Sequence, residues 1–120
     1  MTPPILYISG PFNSEDQLHG IEQNILNASK YSLEAWKLEW AVICPHKNTS
    51  GFQHVNIPFD VWIQGDLAFI DRMNPDNGDS LLMLPNWGLS MGAKIEREFA
   101  IEKGLSVYYS LEMLPKIADI

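Results

Sequence analysis

Four short, unbroken apolar runs punctuate the chain: Ile5–Ser9, Trp40–Cys44, Asp79–Leu84 and Leu105–Tyr109. Each is bounded by glycine, proline or polar residues, which is how a buried strand reads. Between them, apolar residues recur every three or four positions. Leu18, Ile21, Ile25, Ala28, Ala35 and Leu38 form one such stripe and predict a helix from Ser14 to about Glu39. A second helix is predicted from Pro58 to Met73, and a third from Ser90 to about Lys103, with Gly104 as its C-terminal cap. Ser110–Ala118 predicts a last short helix that Pro115 disturbs, and polar residues 46–57 predict a long loop. Strands alternating with helices imply a single α/β domain over residues 1–120, with a doubly wound, mostly parallel sheet of four to five strands. Helices should cover both faces, as in flavodoxin-like or Rossmann-like folds.

Two carboxylates break the apolar helix faces. At about 100° per residue, Glu96 falls on the side of Gly92, Ala93, Ile95, Phe99 and Ala100, while Lys94, Arg97, Glu98 and Glu102 lie opposite. Asp66 falls between Met73 and Phe59, flanked by Trp62, Ile63, Phe69 and Ile70. Alone, either acid could be satisfied by a cap, an arginine or a tyrosine hydroxyl. Together they suit glycosidic cleavage, in which one carboxylate attacks the sugar carbon and the other handles the proton.

Other candidates surround them. Tyr7, on the first strand, can bring its hydroxyl to a carboxylate or simply fill the core. Gly10, Pro11 and Asn13 follow that strand, where open α/β sheets bind ligands beyond the carboxyl ends of their strands. Ser90 stands at a helix start and either caps it or donates to a bound phosphate; Gly92 lies in the same first turn. Trp87, in the preceding loop, either stacks on a base or covers the core. Gly88-Leu89-Ser90-Met91-Gly92 also matches the G-x-S-x-G elbow of serine hydrolases. That triad needs a histidine after the serine, and His19, His46 and His54 all precede Ser90.

Charge and cysteine content narrow the classes. The formal charge is −7, and the eight basic residues are scattered, which argues against a polymeric nucleic-acid partner. Cys44 is the sole cysteine, so no disulfide forms within the chain, and a reducing, cytoplasmic setting is expected. No run approaches the roughly 20 apolar residues of a membrane span. His46, His54 and Cys44 lack metal-ligand spacing, so neither metal nor cofactor is expected.

Taken together, Tyr7-Ile8-Ser9-Gly10-Pro11, the mid-chain Asp66 and Ser90-x-Gly92-x-x-x-Glu96 resemble the nucleoside 2-deoxyribosyltransferase-like superfamily, which includes 2′-deoxynucleoside 5′-monophosphate N-hydrolases. Pro45-His46-x-Asn48-Thr49 and Leu84-Pro85-x-Trp87 look like a small branch common in phages and bacteria. The resemblance implies Glu96 as the nucleophile on C1′ and Asp66 as the acid that positions the sugar or assists the leaving base. It also implies Ser90 and the amides near Gly92 as a 5′-phosphate cradle, Gly10 at the border of the sugar–phosphate site, and a homodimer or larger assembly. Deoxyribosyl transfer to a second base, and a nucleotide-binding or sensor domain without turnover, remain open alternatives.

Overall fold

The computed structural model describes residues 2–12, 19–52 and 55–119. Four parallel strands, β1 (Ile5–Ser9), β2 (Ala41–Ile43), β3 (Ser80–Met83) and β4 (Ser106–Tyr108), form one sheet in the order β2-β1-β3-β4. Helix α1 (His19–Lys37) links β1 to β2. The chain then passes through α2 (Pro45–Asn48) and α3 (Phe59–Asp71), crosses over β1, and enters β3; α4 (Met91–Lys103) leads to β4. Winding therefore reverses at β1, and the β1/β3 junction is the switch point where such sheets bind ligands. The fold is a small doubly wound α/β sheet, at the lower end of the expected four to five strands.

Alternation along the strands sorts the core into two layers. Leu6, Ile8, Leu82 and Leu84 point to one face, where they meet Ala28 and Ala35 of α1, Trp40 and Leu114. Tyr7, Leu81 and Met83 point to the other, against Ile70, Met73, Ala93, Ala100 and Leu105 of the α3–α4 layer. Small residues decide how close each helix comes. Ala93 and Ala100 are buried on α4 one turn either side of Glu96, so that helix lies near enough for Glu96 to reach β1.

Several boundaries differ from expectation. Residues 14–18 of the expected first helix lie outside the described residues. Trp40 precedes β2 and instead buries its ring, with Nε1–H donating to the Pro115 carbonyl at 2.9 Å. The polar stretch after Cys44 begins with the short α2, started by Pro45 at its first position. Pro115 does more than disturb a last helix: the segment becomes two 3-10 turns, Leu111–Met113 and Ile117–Asp119. On α3 the fully buried line runs through Ile63 and Ile70, while Phe59 and Phe69 are exposed, so Asp66 sits half-buried at the edge of the apolar face. No helix among the described residues is long and apolar enough to cross a membrane.

Candidate active site

Glu96 is the centre of the site. Its position on α4 is set from the helix ends. Ser90 caps the start, its Oγ accepting from the Ala93 amide at 3.1 Å, and Gly104 ends it in a left-handed conformation with φ of 88°. The carboxylate projects under the carboxyl end of β1. There the Tyr7 hydroxyl donates to Oε2 at 3.1 Å and the Ser9 hydroxyl donates to Oε1 at 2.7 Å. Tyr7 and Ser9 are two residues apart on one strand, so both face the α3–α4 layer. Glu96 is 6% exposed.

Asp66 arrives from α3, and its carboxyl interacts with both Glu96 and the Tyr7 hydroxyl. No cation compensates the two acids: among the described residues, none of the ion pairs includes Asp66 or Glu96. Burial, which penalises the charged form, pushes Glu96 up to about 8, and the neighbouring Asp66 charge adds to the rise. Burial also raises Asp66, although its interactions with Glu96 and the Tyr7 hydroxyl oppose the change. The Tyr7 hydroxyl is raised well above the ordinary tyrosine range by desolvation and by the Glu96 and Asp66 charges, so it stays protonated and donates. The pair consequently holds a proton near neutrality, with one acid and one carboxylate side by side.

Asp79 shows by contrast what a structural buried acid looks like here. It is 4% exposed, and its two oxygens accept from the amides of Ile5 at 2.8 Å and Asn74 at 2.7 Å. It pins the amino end of the sheet through these two amides.

The other expected residues divide. Gly10 has a packing reason: a Cβ there would lie 2.6 Å from Leu84 Cβ, so only glycine lets the end of β1 pass that leucine. The Pro11 carbonyl accepts from His46 Nε2–H at 2.8 Å, and the Phe12 carbonyl accepts from Asn24 Nδ2 at 3.0 Å. The turn leaving β1 is thus held from both α2 and α1. Asn13 lies outside the described residues. Gly92 faces α3, with Phe59 and Ile63 at ordinary contact distance from where a Cβ would stand.

Trp87 is stacked, but on protein. The Arg97 guanidinium lies 5.0 Å from its ring centroid and Tyr109 lies 6.0 Å away, while the indole packs on the core beneath. Arg97 also donates to the Tyr109 hydroxyl and to Glu98, each at 2.8 Å. Trp87 thus covers the core from its loop.

Two contributors escaped the sequence reading. Ser9 was legible in principle, because strand alternation puts it on the same face as Tyr7. His46 had no such signal. It is 4% exposed, it packs its ring against Phe12, and burial lowers its pKa, keeping it neutral. Since a carbonyl only accepts, Nε2 carries the hydrogen, and the buried Nδ1 is left without a partner among the described residues.

A cleft of about 400 Å³ is lined by Ile43, Cys44, Pro45, Lys47, Asn48 and Phe69. Neither acid lines it, although Ile43 pairs with Tyr7 in the sheet and Phe69 is one turn beyond Asp66. Among the described residues there is no cluster of three or more side chains able to hold a metal ion. Comparison with curated proteins and with solved structures finds no match. A family match does span the sheet and both acids, covering residues 4–109, and by it the chain belongs to the DUF4406 family, described as a domain of unknown function.

Proposed function

We propose that this chain is an N-glycosidase that cleaves the base–sugar bond of a deoxynucleoside monophosphate or a related nucleoside by a retaining mechanism. One observation carries the reading: buried Glu96 interacts with half-buried Asp66, no described ion pair includes either acid, and both oxygens of Glu96 are aimed by hydroxyl donors. An uncompensated acid pair costs stability, and functional sites are where such a cost is found.

In the proposed reaction a Glu96 carboxylate oxygen forms a bond to C1′ as the C1′–N bond breaks. The electron pair of that bond goes to the base nitrogen, which takes the proton held by the pair, through Asp66 or directly. Charge building on the sugar favours Glu96 as the anion, because Tyr7 and Ser9 stabilise that form. Water then attacks C1′ of the glycosyl ester, Asp66 accepts its proton, and Glu96 leaves as carboxylate. A second base in place of water would make the same site a deoxyribosyltransferase.

We assign the leaving base to the cleft that Ile43, Pro45 and Phe69 line together with Lys47 and Asn48. Ser90 retains its O–H as a donor while its oxygen caps α4, and the first amides of that helix suit a 5′-phosphate. Exposed Phe59, Phe69, Leu89 and Met91 lie around the starts of α3 and α4 and near Asp66, which favours a second copy of the chain closing the mouth. Sedimentation would show a monomer if that part is wrong.

The test is base release from a panel of deoxynucleoside monophosphates, with a 2-fluoro sugar analogue to trap the ester on Glu96. No release from any of them, with no adduct, would overturn the proposal. Turnover retained by Glu96→Gln would overturn the nucleophile.

A further inference from the structure

A second cleft, of about 210 Å³, lies on the opposite side of the sheet from Glu96, between α1 and the segment that leaves β3. Its floor is apolar, with Leu84, buried in the α1-side core, and Pro11. Its rim is not. Asn24, Asn27 and Tyr31 follow one another at i, i+3 and i+7, so they form one stripe down α1. Asn86 faces the stripe from across the cleft. It stands in the left-handed region, with φ of 66° and ψ of 16°, and its side chain makes no capping hydrogen bond.

The polar groups have definite directions. Asn27 Oδ1 already accepts from Gln23 Nε2 at 3.1 Å, leaving its two N–H donors for another partner. Asn86 offers both a carbonyl and an NH₂, and Tyr31 a hydroxyl. Among the described residues, the lining holds neither lysine, arginine, aspartate nor glutamate to give a charged ligand a counter-charge. Apolar surface at Pro11 and Pro85 bordered by amides suits a neutral ring whose edge carries adjacent donors and acceptors, the pattern asparagine reads on a base.

We propose that this cleft is a second small-molecule site that takes an uncharged, nucleobase-like heterocycle, held edge-on by Asn27 and Asn86 over Leu84. The proposal stands independently of the reading of Glu96, from which the cleft is separated by the sheet.

The experiment follows the asparagine side-chain amide signals of the ¹⁵N-labelled protein during titration with adenine, D-glucose or inorganic phosphate. Adenine is expected to give saturable shifts of the Asn27 and Asn86 amides. Asn27→Leu, an exposed position, should weaken binding about tenfold, and Asn86→Gly, which keeps the turn, should weaken it similarly. Glu96→Gln should leave it unchanged. No saturable shift with adenine would overturn the proposal, as would equal or stronger shifts with glucose or phosphate. Loss of the adenine shifts in Glu96→Gln would also overturn it, by assigning the binding to the other face.

Discussion

Ser9 Oγ lies 2.7 Å from Glu96 Oε1, closer than the 3.1 Å between the Tyr7 hydroxyl and Oε2. A hydroxyl in that position is a donor, and a donor stabilises the carboxylate against the burial that would keep it protonated. Hydrogen bonds to charged groups contribute roughly 1.5–3 kcal/mol. Ser9→Ala is therefore expected to raise Glu96 above its value of about 8 by at least about one pH unit, at roughly 1.4 kcal/mol each. Titration of the Glu96 carboxyl by ¹³C NMR would read this directly. An unmoved midpoint would mean that Ser9 orients Glu96 without stabilising its charge.

The raised acid also fixes how stability responds to pH. Between the ordinary glutamate value of 4.5 and about 8, the folded state keeps a proton on Glu96 that the unfolded chain has released. Protons bound in the folded state exceed those in the unfolded state, so stability falls as pH rises through that window, by up to roughly 1.4 kcal/mol per unit. Asp66, also raised by burial, acts in the same sense. Glu96→Gln should flatten much of this slope and be more stable than the native chain above pH 8. Denaturant unfolding across the range checks it; parallel profiles for the two proteins would refute it.

Much of this arrangement was legible in the sequence, and the reasons differ by residue. The strands were readable as apolar runs, and the two acids as polar positions on apolar helix faces, because periodicity carries that information. Tyr7 was a candidate for the same reason. Ser9 was visible only as part of a turn, since a serine at a strand end is common and its partner lies 87 positions away. His46 depends wholly on tertiary contact with Pro11 and Phe12. Trp87 was ambiguous because stacking on a ligand and stacking on Arg97 look alike in sequence. Gly10 was noticed as a turn, whereas its reason is the side chain of Leu84, which no local pattern reveals.

That reason gives a sharp expectation. A methyl at position 10 would stand 2.6 Å from Leu84 Cβ and 2.8 Å from its Cδ1, well inside contact distance. The nearest atom is fixed to the backbone of the strand exit and cannot rotate away. Gly10→Ala should thus cost about 1–3 kcal/mol, as overpacking does, and should disturb the Ser9–Glu96 contact next to it. Thermal or chemical unfolding measures the loss. A change within about 0.5 kcal/mol, the range of an ordinary surface substitution, would show that the strand exit can shift.

Ser90 is given two duties, and they can be separated. As the cap of α4 its oxygen accepts from Ala93, which is worth about 1 kcal/mol; as a phosphate ligand it would donate its O–H. Ser90→Ala removes both and should cost about 1 kcal/mol of stability together with affinity. Ser90→Asp keeps a capping oxygen and adds a negative charge at the helix start, where the dipole favours it. Its stability should match or exceed the native chain, while a 5′-monophosphate meets a like charge. The Michaelis constant for a deoxynucleoside monophosphate should then rise at least about tenfold, and that for the nucleoside without phosphate should change little. Equal effects on both substrates would place the phosphate elsewhere and leave Ser90 as a cap alone.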